Sequence, residues 1–104
     1  MQLLNYLDMN SNLFIAANGH VTLDFGDHEN VLYQKACAQL EKLGFTRRGT
    51  TLHGLDEGIK PSFFRAELEI LTGYDRWSGS YFLATSGEGD VILHHLYADL
   101  LRSL

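Results

Sequence analysis

One cysteine and one proline occur in the 104 residues, and basic side chains are outnumbered by acidic ones, 8 to 13. A single thiol, Cys37, rules out an intrachain disulfide and an all-cysteine metal site. A free thiol fits a reducing compartment, so a cytoplasmic protein is expected. With Pro61 alone and no Ser/Pro/Gly-rich stretch, nothing marks a linker, and residues 1–104 read as one domain. No run approaches the ~18 apolar residues needed to cross a bilayer. Met1 to Leu7 lacks the basic start and apolar run of a signal peptide. The net charge of −5 argues against a protein that coats nucleic acid or anionic membrane by bulk charge. GxSxG, Walker A, GxGxxG, CxxC, His-Glu-x-x-His and EF-hand spacings are all absent, so no common catalytic signature is present and no cofactor is expected.

What is present is ordinary globular composition, 45% hydrophobic and 20% charged, enough to build a core. Leu13-Phe14-Ile15-Ala16-Ala17 and His20-Val21-Thr22-Leu23-Asp24-Phe25 flank Asn18-Gly19, which predicts a β-hairpin closed by a type I′ turn. Its second strand alternates, with Val21, Leu23 and Phe25 on one side and His20, Thr22 and Asp24 on the other. A helix is predicted from His28 to Leu43, capped by Asp27 and carrying Leu32, Ala36, Leu40 and Leu43 as its apolar stripe. Gly44 and Phe45 suit a Schellman ending. Phe45 to Leu55 reads as a strand, with Gly49 a possible bulge, and Gly54 to Lys60 as a loop. Pro61 would open a helix running through Phe64, Leu68 and Leu71 to Gly73.

Ser80 to Thr85 reads as a strand, and two readings compete beyond Ser86-Gly87-Glu88-Gly89-Asp90. Val91 to His95 returns as a strand, or Asp90 caps a helix with Leu93, Leu96/Tyr97, Leu100/Leu101 and Leu104 as its apolar stripe; a short strand followed by a helix from His95 is the compromise. A shift of 68 positions places Leu3 on Leu71, Phe14 on Phe82, Ala16 on Ala84 and Gly19 on Gly87, which favours a second hairpin and a helix-hairpin-helix pseudo-repeat. The expected fold is therefore α+β: an antiparallel sheet of two β-hairpins plus a central strand, packed against about three helices.

Four groups of residues carry candidate chemistry. Asp24, Asp27, His28 and Glu29 cluster where a strand meets a helix, as oxygen-rich cation sites do, and as acid-stocked helix starts do. His95 and Asp99 stand four apart, so on a helix the carboxylate can orient the imidazole as a base. Lys35, Lys42, Arg47 and Arg48 form a basic shoulder fit for a phosphate or an acidic surface, which leaves nucleic acid open despite the net charge. Gly73 to Phe82 offers Tyr74, Arg76, Trp77 and Tyr81, residue types enriched at binding hot spots.

Leu40-Glu41-Lys42-Leu43-Gly44-Phe45, followed by Arg47, Gly49 and Leu52, is similar to the helix-to-strand corner of the VapD group of ferredoxin-like ribonucleases. Asp24 resembles their metal-linked aspartate in position, although here a hairpin precedes its strand. The resemblance implies a metal-dependent nuclease using Asp24 with Arg47 and Arg48. The residues themselves favour a small binding or adaptor-type protein that meets another protein through the aromatic segment and a sheet surface. An exposed sheet edge and a small acidic domain make a homodimer the expected assembly.

Overall fold

The computed structural model describes residues 13–25, 31–49, 52–54, 57–75 and 79–102. Its elements are β1 (Leu13–Ile15), β2 (Val21–Asp24), α1 (Val31–Lys42), β3 (Thr46–Arg48), β4 (Leu52–His53), β5 (Glu57–Arg65), β6 (Leu68–Asp75), β7 (Gly79–Ala84) and α2 (Gly87–Arg102). All described strand pairs are antiparallel and form one sheet ordered β1-β2-β7-β6-β5-β3, with short β4 also pairing with β5. The α+β class holds, with two helices among the described residues rather than about three.

The predicted first hairpin forms, but Gly19 (φ 85°) alone takes a positive φ while Asn18 does not. The turn is accordingly not type I′. Ala16 donates to the His20 carbonyl at 2.8 Å and Gly19 to the Ala16 carbonyl at 2.9 Å, a three-residue loop ending in a left-handed glycine. The Asn18 side chain accepts from the His20 amide at 2.9 Å, which stabilises that loop without αL backbone at Asn18.

Helix α1 ends as its sequence predicts. Gly44 (φ 96°) lets the Phe45 amide reach the Leu40 carbonyl at 3.0 Å and its own amide reach Glu41 at 3.0 Å, the two bonds of a Schellman motif. Phe45 thereby turns into the core at 2% exposure. The proposed cap Asp27, with His28 and Glu29, lies outside the described residues.

The helix expected over 61–73 is instead the β5–β6 hairpin. The spacing of Phe64, Leu68 and Leu71 imitates a helical stripe, while a bulge between Lys60 and Phe63 breaks the two-residue alternation that marks a strand. Pro61 sits inside that irregularity, where a missing amide costs no ladder bond. The turn at Ala66-Glu67 has no glycine or asparagine, and Ala66 itself adopts φ 54°. The predicted loop over 54–60 likewise becomes strand from Glu57 onward.

The second predicted hairpin is also replaced. Ser86 caps α2, its Oγ accepting from the Gly89 amide at 3.0 Å, and the helix runs unbroken through Val91 to His95. Ser86-Gly87 thus starts a helix where Asn18-Gly19 turns a hairpin, and the segment around Leu71 is strand. The 68-residue similarity is therefore not a structural repeat.

Both helices cover one side of the sheet. Phe82, fully buried in β7, packs edge-on against Phe25 at 5.0 Å and Phe63 at 5.7 Å, and tilted against Tyr33 of α1 at 5.7 Å. Leu93, Leu96 and Leu100 bring α2 onto the same core. Burying aromatic rings in this geometry adds about 0.5–1.5 kcal/mol per pair beyond the area removed from water. No described helix is long and apolar enough to cross a membrane.

Candidate functional site

Strand register decides which side chains share a surface, because residues paired across an antiparallel ladder project to the same face. Phe82 pairs with Leu23 and Thr72, so those three belong to the helix-covered face. Their neighbours along each strand belong to the other. On that second face one row runs Phe14, Thr22, Leu83, Leu71 and the next runs Asp24, Tyr81, Gly73, Ile59, Leu52. No described helix packs on these rows. Leu52 is 57% exposed, Ile59 54% and Phe14 45%, with Leu71, Leu83 and Tyr81 half-buried between them. Tyr81 lies flat over Gly73: a Cβ there would stand 2.7 Å from its hydroxyl and 2.6 Å from the Gly58 carbonyl. The glycine is what lets an aromatic ring lie close on the sheet. Arg48 completes the rim, its guanidinium 4.2 Å over the Phe64 ring.

The helix-covered face carries a polar cluster at the end of the sheet. Arg47 donates to the Tyr33 hydroxyl and the Pro61 carbonyl, both at 3.2 Å, and stacks 4.7 Å from the Phe63 ring. Its Nε is buried without a partner. Cys37, one helical turn from Tyr33, has its sulfur 3.9 Å from Arg47 Nη1. Burial pushes the Cys37 thiol above its usual range, outweighing the lowering by Arg47. Burial likewise raises the Tyr33 phenol. The thiol is therefore held protonated and is a poor nucleophile. Lys60 Nζ reaches Ser80 Oγ at 3.1 Å and sits 4.1 Å over the Tyr33 ring.

A third constellation joins the first hairpin to the last helix. Asp90 accepts from the Val21 amide at 2.9 Å through one oxygen and contacts His20 Nδ1 at 3.0 Å through the other. The Val21 bond first, and the His20 bond second, hold the Asp90 carboxyl below its ordinary value. Asn18 adds a bond to the Ala84 carbonyl at 3.3 Å. The sequence reads Asp90 as a helix cap, a place that Ser86 takes, and His20 as a strand start; that they meet is visible only in three dimensions.

The predicted site residues separate accordingly. Tyr74 pairs with Ser80 on the helix-covered face, while Tyr81 pairs with Gly73 and Asp24 on the other, so the aromatic segment serves two surfaces. Arg76 and Trp77 lie outside the described residues. The basic shoulder divides too: Arg47 turns inward, Arg48 lies on the uncovered face, and Lys35 and Lys42 line a groove of 260 Å³ between α1 and α2 floored by Leu96 and Leu100. His95 is exposed on α2, and Asp99 is engaged by Arg102 instead. Among the described residues no group of three His, Cys, Asp or Glu side chains can hold a metal ion. The described elements run β-β-α-β-β-β-β-β-α, which also differs from the β-α-β-β-α-β of a ferredoxin-like domain. Comparison with protein-family models, curated proteins and solved structures finds no match to this chain.

Proposed function

We propose that the chain is a protein-binding module that seats its partner on the uncovered face of the sheet. The observation that carries this reading is the pair of adjacent rows that hold Phe14 on one and Ile59 and Leu52 on the other, each of the three roughly half exposed on a face that no described helix covers. Contiguous apolar surface framed by polar side chains marks interaction sites in small domains. The face has an anchor and a rim: Tyr81 pressed on Gly73 is a rigid aromatic, and Arg48 stacked on Phe64 presents a cation held in place, both residue types that dominate binding energy.

Affinity capture from the protein's own cell extract tests this. The intact chain is compared with Leu52→Asp/Ile59→Asp on the uncovered face and with Val91→Asp, which alters an exposed residue of α2. A partner retained by the intact chain and by Val91→Asp, and lost at least tenfold by the double variant, supports the reading. Equal capture by all three removes it. Incubating the same preparations with RNA or DNA and Mg²⁺ or Mn²⁺ checks the nuclease alternative. Cleavage abolished by Asp24→Asn would replace the binding reading.

A further inference from the structure

The two ends of the sheet differ in how they meet solvent. At one end β3 presents Arg48, exposed, and Arg47; charged residues on an edge strand discourage strand addition. At the other end β1 is Leu-Phe-Ile, with Ile15 64% and Phe14 45% exposed. Between Asp8 and Asp24 the sequence has no Lys, Arg, Asp or Glu. Among the described residues no strand pairs with the outer side of β1.

The hairpin fixes where the backbone groups of β1 point. Ala16 is bonded to His20, so alternation makes Phe14–Thr22 a hydrogen-bonded pair, with Leu13–Leu23 and Ile15–Val21 the non-bonded pairs. The amides and carbonyls of Leu13 and Ile15 therefore face outward. Val21 obeys the same rule, its amide pointing away from β1 to Asp90.

We propose that the outer edge of β1 pairs with β1 of a second copy about a two-fold axis through Phe14. Leu13 of each copy then faces Ile15 of the other as a bonded pair, giving four hydrogen bonds, and the two Phe14 rings meet as the close pair on the uncovered face. The occupant follows from the strand itself: with no Lys, Arg, Asp or Glu between Asp8 and Asp24, two copies meet here without the repulsion that a net charge of −5 brings elsewhere, and the two-fold through Phe14 makes the edge its own complement. The pairing also joins the two uncovered faces into one. It stands independently of the partner-binding reading, because its test involves this chain alone. A three-residue strand buries a small area, so the dimer is a weak one.

Sedimentation velocity of the full chain from about 5 to 500 µM is the measurement. Ile15→Pro removes an outward amide and spares the β1–β2 ladder, so it shifts the half-point at least tenfold, two of the four bonds being lost. Val91→Asp leaves it unchanged. A second variant, Phe14→Cys with Cys37→Ser, forms an intermolecular disulfide under mild oxidation, since close pairs bring Cα atoms about 4.5 Å apart. A monomer throughout overturns the proposal, whether the Leu13 and Ile15 amides exchange slowly because residues 1–12 cover them or the edge takes an extended segment of another protein. A dimer indifferent to Ile15→Pro and without the cross-link overturns it as well.

Discussion

Thr22 offers a substitution whose expected effect runs against the usual sign. The residue is 7% exposed, its Oγ1 is buried with no hydrogen-bond partner, and the register sets it between Phe14 and Leu83 on the uncovered face. Thr22→Val keeps the volume, the branched Cβ and the strand preference while replacing the hydroxyl by a methyl. A desolvated hydroxyl without a partner costs about 1–3 kcal/mol in protein substitution data, and that cost disappears. We expect a net gain of about 1–2 kcal/mol, which for a domain of this length raises Tm by roughly 5–10 °C. Thermal unfolding followed by circular dichroism measures it, with urea midpoints as a second reading and an unchanged m-value showing that two-state behaviour is intact. Thr22→Ser, which keeps the hydroxyl and loses the methyl, should fall below the parent. A Thr22→Val chain less stable than its parent would mean the hydroxyl is bonded after all, and the reasoning fails.

Asp90 sets an acid limit. Its folded pKa lies below the ordinary 3.8, so its contribution is complete above about pH 4 and is lost as pH falls through the folded value. Urea midpoints of the parent should drop more steeply below pH 4 than those of Asp90→Asn, and parallel curves would remove the role given to the carboxylate. Gly73→Ala should lose about 1–3 kcal/mol, because the new Cβ meets the Gly58 carbonyl at 2.6 Å and strand backbone has little room to give. An alanine variant with the parent's Tm would show that Tyr81 and β5 can shift freely.

The parts of the fold legible in the sequence are those decided by neighbours. Gly44 and Phe45 announced the end of α1, and the strands around Asn18-Gly19 announced the first hairpin, since each rests on contacts within a few residues. The β5–β6 hairpin was illegible because the bulge at Lys60 disrupts its alternation and Ala66 takes a left-handed turn that alanine rarely enters. Helix α2 was one of two readings, and only burial of Leu93, Leu96 and Leu100 against the sheet decides it. The candidate site shows the same division. Tyr81 and Arg48 could be picked out by type, but which face they occupy depends on register. His20 and Asp90, 70 residues apart, carry no joint signal in one chain.

The bond from Val21 to Asp90 spans 69 residues, and β2 takes its inner partner from β7, the last strand. Emerging vectorially from the ribosome, the chain makes its first hairpin early and completes its docking last. Closing so long a loop before any reward from the contact slows folding. Until β7 has been synthesised, the inner edge of β2 stands open, so the nascent chain carries that unpaired edge while α1 and β3 to β6 are made. A chain truncated before Asp90 would keep the β2–β7 ladder but leave the Val21 amide without its acceptor and the core without Leu93, Leu96 and Leu100, which makes α2 the element that seals a sheet already formed.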